Sequence, residues 1–357
     1  MSIRKKILFS PLDWGMGHTT RCIPLIEYFI EKNYEVYVAA NDVSISMLKS
    51  IFPDMNFLYI KGYNVKYSKT KWALPFVIFF QIPKIIAAIL YEHNWLKKTL
   101  NTQKIDIVIS DNRYGFYSNK IKSIFITHQL NILVPQSPFL EKILKKLNRF
   151  FLKKFDEIWV PDYASNIQAG KLSKNDMSLN NLKYIGNLSR FSNSSNESAV
   201  KYEILIILSG PEPQRSILEK IILQQVQKLS FKMVMVRGTK NNNDIALSVN
   251  ENIEYIDFAT KNELEHLIRS SEILVSRSGY STIMDFVKLK RHAILIPTPG
   301  QTEQEFLADY LSEKNWYIAC QQNKFNLKDE VEKYRNTTFN PFPLLNFQLF
   351  KKYIDEL

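Results

Sequence analysis

A histidine set between glycines stands in the segment Asp13-Trp14-Gly15-Met16-Gly17-His18-Thr19-Thr20-Arg21. An imidazole at the crest of such a loop can take a proton from a hydroxyl near neutral pH. Gly15 and Gly17 let the backbone approach a ligand. A dinucleotide fingerprint would need glycine where Thr20 stands, so the loop is not one. The plain alternative for His18 is a helix cap or a partner for backbone. Asp111 ends the apolar run Ile107-Val108-Ile109-Ser110. If it reaches His18 it orients the ring and stabilises the imidazolium formed during proton transfer. Otherwise it is a turn aspartate capping the next segment. His128, after Ile124-Phe125-Ile126-Thr127, reaches the same sheet edge and lines an acceptor site or serves structure.

The second half carries groups suited to phosphate. Ser209-Gly210-Pro211-Glu212-Pro213-Gln214-Arg215 resembles a phosphate-approach loop, with Ser209 as donor and Arg215 as charge partner. Its two prolines lack amide donors. A stronger run is Ser276-Arg277-Ser278-Gly279-Tyr280-Ser281-Thr282-Ile283-Met284-Asp285, followed by Ile294 to Gln304. Amides from Gly279 onward and the hydroxyls of Ser278, Ser281 and Thr282 suit the oxygens of a diphosphate. Asp285, one helical turn further on, can accept hydrogen bonds from vicinal ribose hydroxyls, and Gln304 can bond a sugar. The alternative is an ordinary strand-to-helix turn with polar caps.

Each motif follows a short apolar strand, as the ligand edge of a parallel sheet requires. The first half reads as strands 6–10, 36–40, 105–110, 123–127 and 158–160, with a helix over 20–32. The polar stretch Ser189 to Ser198 marks a boundary. The pattern then restarts with strands 203–208, 231–236, 252–257, 273–276 and 293–297 and helices 214–228, 262–270, 281–289 and 304–312. The expected division is residues 1–188, a linker 189–201, residues 202–335 and a C-terminal helix within 336–357.

The chain has 357 residues, 45% hydrophobic and 23% charged, ordinary for two globular domains. Cys22 and Cys320 are its two cysteines; they form no CxxC pair and point to a reducing compartment without disulfides or structural zinc. The apolar run before Pro11 is too short for a signal-peptide core. The net charge of +12 asks for an anionic partner. No nucleic-acid module is present, which leaves an anionic membrane or an anionic substrate. Trp72 to Leu90 is strongly apolar, but Pro75, Pro83 and Lys84 argue against a spanning helix. Phe139 to Lys154 spaces Leu140, Ile143, Leu144, Leu147 and Phe151 helically among six basic residues. It reads as a domain helix packed on its sheet with a solvated basic face, or as an interfacial helix at a membrane.

The second-half residues resemble the C-terminal signature of glycosyltransferase family 28. That pattern is S-R-x-G-x-x-T-x-x-E, I-P-x-P and H-Q-x-x-N-A. Here stand Ser276-Arg277, Gly279, Thr282 and Asp285, then Ile296-Pro297 and Pro299, then Gln304 and Ala308. Asp285 replaces glutamate, Glu303 histidine and Leu307 asparagine. The loop of Gly15, Gly17 and His18 is similar to the family's N-terminal glycine-rich loop, and His18 with Asp111 resembles the base dyad of the family 1 UDP-glycosyltransferases. The resemblance implies an α/β GT-B fold, with two Rossmann-like domains facing a central cleft. It implies a UDP-sugar donor held by Ser209, Gly210, Arg215, Arg277, Ser278, Gly279, Ser281, Thr282, Asp285 and Gln304, with the Phe258 backbone against uracil. Gly15, Gly17 and His128 would line the acceptor site. His18 would be the base and Asp111 its aid in an inverting displacement, with no metal and no cofactor beyond the UDP-sugar.

UDP-N-acetylglucosamine or a related hexose donor, a lipid-linked or cell-envelope acceptor, and a cytoplasmic enzyme peripheral to the inner membrane face complete the expectation. A nucleotide-sugar 2-epimerase and a non-catalytic recruiting subunit share the fold. The epimerase would need carboxylate acid and base groups and no acceptor.

Overall fold

The computed structural model describes residues 4–63, 74–134, 137–191, 199–239 and 251–357. The chain divides into two compact units. Among described residues, the first holds the N-terminal residues to 63, Pro75–Arg190 and Leu345–Leu357, and the second holds Leu74 and Phe191–Leu344.

The first unit runs β1 (Lys6–Pro11), α1 (Met16–Glu31), β2 (Glu35–Ala40), α2 (Asp42–Ile51), β3 (Asn56–Tyr59), α3 (Leu74–Thr102), β4 (Ile107–Asp111), β5 (Lys122–Ile126), α4 (Pro138–Leu152), β6 (Glu157–Val160) and β7 (Leu182–Tyr184). Its seven strands lie parallel in the order β3-β2-β1-β4-β5-β6-β7. Parallel strands are covered on both faces, so their centres are unbroken apolar runs. Ile7-Leu8-Phe9 and Val108-Ile109 are fully buried. The strand order reverses between β1 and β4, where Pro11 pairs with Asp111. Ligands in such sheets sit at the carboxyl ends of the strands at that reversal.

The second unit runs β8 (Tyr202–Ile207), α5 (Gln214–Val226), β9 (Met233–Val236), β10 (Ile253–Ile256), α6 (Lys261–Arg269), β11 (Ser271–Ser276), α7 (Tyr280–Lys288), β12 (Ile294–Leu295), α8 (Thr302–Glu313), β13 (Ile318–Ala319) and α9 (Leu327–Arg335). Its six strands are parallel in the order β10-β9-β8-β11-β12-β13. The reversal falls between β8 and β11, where Ile207 pairs with Ser276. The expected α/β class with two parallel-sheet domains is what the chain adopts. Helix α10 (Leu349–Asp355) ends the chain.

Four expectations need correction. His18 is not at a loop crest: α1 begins at Met16, after Gly15 at φ 89°, and puts Gly17 and His18 in its first turn. The positive φ lets the chain turn into the helix directly from the strand edge. The second unit keeps the chain to Leu344 because His292 stacks on Phe339 (4.5 Å) and Phe342 (4.7 Å), and Trp316 packs on Phe342 (5.2 Å).

Helix α10 is shorter than the stretch expected. It packs on α1 through Tyr28 Oη, which donates to Asp355 Oδ1 at 2.9 Å, and through an edge contact between Tyr28 and Phe350 at 6.0 Å.

Helix α4 buries only part of its apolar stripe: Leu144 and Phe151 are half-buried, with Phe151 5.2 Å from Tyr114. Asn148 and Leu152 face inward, while Leu140, Ile143, Leu147 and Phe150 are 43–59% exposed. Asn148 wins the inward place because its amide donates to the carbonyls of Gln129 and Leu130 and its oxygen accepts from Tyr114. Of the apolar segment Trp72 to Leu90, residues 72–73 lie outside the described residues, as do 192–198 of the linker. Among the described residues no helix is long and apolar enough to cross a membrane.

Phe350→Ala removes the ring that docks α10. Truncating a buried aromatic costs about 3–5 kcal/mol. We expect a lower urea midpoint for the variant, read by circular dichroism.

Candidate active site

At the edge where β1 and β4 meet, α1 carries His18 and Arg21 one turn apart on one face. His18 Nδ1 lies 2.9 Å from Asp111 Oδ1. The expected meeting of these two side chains is made. Nε2 of His18 has no hydrogen-bond partner among the described residues, and the side chain is 16% exposed.

Arg21, named in the sequence only as part of the loop, is the unforeseen member. It is 2% exposed and forks onto Asp111: Nε donates to Oδ2 at 2.6 Å and Nη2 to Oδ1. Burial on its own pushes the Asp111 carboxyl up, but the Arg21 guanidinium, with His18 adding to it, holds the group well below the usual carboxylate range. Arg21 Nη1 lies 3.0 Å from Nδ1 of His128, itself buried. His18, Asp111 and His128 therefore gather at one edge, joined by a cation that sequence spacing could have flagged at i+3 from His18.

A second buried pair shapes the neighbouring loops. Arg113 donates to the Pro11 carbonyl at 2.9 Å and to Glu92 Oε1 at 2.6 Å. Tyr63 donates to Glu92 Oε2 at 2.8 Å, and the Tyr63 amide donates to Asp13 at 2.9 Å.

In the second unit the phosphate motifs fall at the matching place, after β8, β11 and β12. Ser278 Oγ donates to the Gln304 carbonyl at 2.8 Å, and Gln304 Oε1 accepts from the Thr298 amide at 2.9 Å. Gln304 thus ties two strand-end loops to α8. Gly279 caps α7 at φ −68°, with no side-chain cap. A Cβ there would meet only Thr282 Oγ1, at 4.0 Å, so no protein neighbour demands a glycine. Ser281 and Thr282 sit half-buried in the first turn of α7, and Asp285 is 5% exposed in its second. Ser209 is half-buried beside Gly210, whose φ is 98°. Phe258 is exposed after β10. The hydroxyls of Ser276 and Thr298 are buried without partners among the described residues.

Two expected donor-site arginines turn inward. Arg277 is buried and donates to the carbonyls of Ile296, Pro297 and Gln214 and to Gln322 Oε1; burial brings its guanidinium down to about 10. Arg215 is held by Glu212 at 2.6 Å and by the buried Glu219 at 2.9 Å, and Glu219 is bonded in turn by Arg237 at 2.5 Å. Both brace the loops beneath the site. A phosphate-binding role rested on residue type, and burial decided otherwise. Among the described residues no cluster of three His, Cys, Asp or Glu side chains is placed to hold a metal ion.

Residues 204–343 match the glycosyltransferase family 28 C-terminal domain. A Prochlorococcus marinus UDP-N-acetylglucosamine–N-acetylmuramyl-(pentapeptide) pyrophosphoryl-undecaprenol N-acetylglucosamine transferase is 30% identical over 135 residues, 37% of this chain and 36% of that relative's length. The match thus spans about a third of that curated relative. An uncharacterized glycosyltransferase of Methanosarcina acetivorans is 23% identical over 87% of this chain and 82% of its own. The structure of the kitacinnamycin glycotransferase covers 94% of this chain and 91% of its own at TM-score 0.65 and 13% identity. The fold is that of the GT-B glycosyltransferases. The second unit matches the C-terminal domain of glycosyltransferase family 28.

The Asp111 carboxyl sits below its ordinary value of 3.8 in the folded chain. The unfolded chain therefore binds the proton more tightly, and the stability drawn from this group is present above pH about 4 and lost as pH falls through the folded value. Asp111→Asn removes that share of the acid slope. It also strands Arg21 and destabilises the fold at pH 7 by about 3–5 kcal/mol. Urea unfolding between pH 7 and pH 3 checks both effects. An acid slope unchanged in the variant contradicts the assignment.

Proposed function

We propose that this chain transfers a sugar from a UDP-sugar to a hydroxyl of a lipid-linked or cell-envelope acceptor, with inversion at the anomeric carbon and no metal ion. The observation that carries the reading is His18: Nδ1 lies on Asp111 at 2.9 Å, and Nε2 has no partner among the described residues. The acceptor hydroxyl gives its proton to Nε2. Its oxygen bonds to the anomeric carbon as the carbon–oxygen bond to the donor diphosphate breaks, and UDP leaves with that electron pair. The negative charge growing on the diphosphate faces the N-terminus of α7, which has no side-chain cap, and the hydroxyls of Ser209, Ser281 and Thr282. Asp285 would meet the ribose and the Phe258 backbone the uracil. That Gly279 is a glycine without a protein neighbour to require it supports a ligand passing close there. Relatives named for UDP-N-acetylglucosamine and a pyrophosphoryl-undecaprenol acceptor support the donor and acceptor classes.

Helix α4 supports a membrane-bound acceptor. Beside its exposed stripe of Leu140, Ile143, Leu147 and Phe150 run Lys142, Lys146 and Arg149, each one residue earlier and also exposed. Apolar side chains can enter the interface of an anionic bilayer while the cations meet its headgroups, and the net charge of +12 works in the same direction. A cytoplasmic enzyme peripheral to the inner membrane face fits this picture.

With UDP-N-acetylglucosamine and no magnesium, the wild type binds UDP by calorimetry, and Gly279→Val weakens binding about tenfold or more, near 1.4 kcal/mol. His18→Gln keeps the affinity and loses about 10²–10⁴ in kcat for UDP release with acceptor. A new sugar nucleotide formed without acceptor would instead mark an epimerase, and wild-type turnover by His18→Gln would remove the base assignment.

In flotation with phosphatidylglycerol vesicles at low salt, the wild type floats and the double variant Ile143→Glu, Leu147→Glu stays behind. Equal flotation of both sinks the membrane reading.

A further inference from the structure

We propose that Arg21 is a positioning residue that sets the two site histidines in opposite tautomers, His128 as a hydrogen-bond donor at Nε2 and His18 as a base at Nε2. Its kinetic consequence rests on the transferase reading; its geometry does not.

A guanidinium carries only donors and has no lone pair to offer. Arg21 fills its fork with Asp111, through Nε at 2.6 Å and through Nη2. Nη1 then stands 3.0 Å from His128 Nδ1. A proton on that Nδ1 would set two donors head to head. The lone pair therefore lies at Nδ1, and the proton of the neutral ring lies at Nε2. His128 is buried, so the ring has little room to turn away from the cation.

His18 faces the reverse demand. Its Nδ1 is 2.9 Å from Asp111 Oδ1 and 3.0 Å from Arg21 Nη2. Nη2 gives one of its two N–H groups to Oδ1, and a lone pair on Nδ1 would set that ring nitrogen against the carboxylate oxygen at 2.9 Å, a repulsion His128 does not face. Asp111 stays ionised beside Arg21 and can only accept. The proton of His18 therefore sits on Nδ1, and Nε2 keeps its lone pair. One cation thus does three things at the edge of the sheet. It keeps Asp111 an acceptor, which protonates His18 at Nδ1; it bars the proton from Nδ1 of His128; and it links both rings to one rigid helix turn. The result is one ring with a lone pair at Nε2 and one with its proton there.

The chain has five histidines, few enough for long-range ¹H–¹⁵N correlation on the full-length protein with ¹⁵N-labelled histidine. His18→Gln and His128→Gln assign the two rings. We expect His128 protonated at Nε2 alone and His18 at Nδ1. In Arg21→Gln, the His128 signals move toward a mixture of tautomers and kcat falls by about 10²–10⁴, with the affinity for UDP unchanged. Arg21→Lys keeps the charge without the fork, so it retains Asp111 pairing, recovers part of kcat and still mixes the His128 tautomers. Wild-type His128 protonated at Nδ1, or Arg21→Lys with both the wild-type spectrum and wild-type kcat, overturns the proposal. If Arg21→Gln does not fold, the wild-type and lysine spectra decide alone. Wild-type protein with the expected tautomers and no transfer would instead count against the transferase reading.

Discussion

The buried pair of Arg21 and Asp111 is the contact around which the edge of the first sheet is arranged. A carboxylate taken out of water without a partner is costly, and a guanidinium likewise. The two lie 90 residues apart in sequence. They meet because the parallel crossovers bring the start of α1 and the end of β4 to the same reversal of strand order. Two bonds hold that junction: the Leu12 amide donates to the Asp111 carbonyl at 3.0 Å, and the Arg113 side chain donates to the Pro11 carbonyl. His18 and His128 take their places on this ion pair, and the pair keeps its geometry because both partners are enclosed.

The second unit uses charge differently. Arg277, Arg215, Arg237 and Glu219 bind carbonyls and one another beneath the strand ends. Buried charges of this kind fix shape, since each hydrogen bond has a direction and few alternative partners exist in the interior. The surface above them is left to small and neutral groups: Ser209, Gly210, Gly279, Ser281 and Thr282. On the proposed reading, a diphosphate bound there by amides, hydroxyls and a helix terminus needs close approach more than side-chain charge.

Helix α4 obeys a third constraint. Its sequence is amphipathic, yet the face turned inward is the one with Asn148, because that amide can satisfy two carbonyls of the stretch after β5. Leu140, Ile143, Leu147 and Phe150 are left outward.

Much was legible from residue order. The unbroken apolar runs announced buried parallel strands, the glycine and serine turns after them located both ligand edges, and the motif after β11 carried the family resemblance. Helix α1 starts at Met16, four residues before the expected start, so the face that His18 shares with Arg21 was not legible. What order could not decide was which side chains are enclosed. Periodicity shows that α4 has two faces but not which one is covered, since that depends on carbonyls supplied by another loop. Arginine suits phosphate and carbonyl alike, so only burial sent Arg277 and Arg215 inward. The partnership of Asp111 with His18 and Arg21 required the sheet itself, because contacts between residues so far apart in sequence exist only once the strands have been ordered and packed.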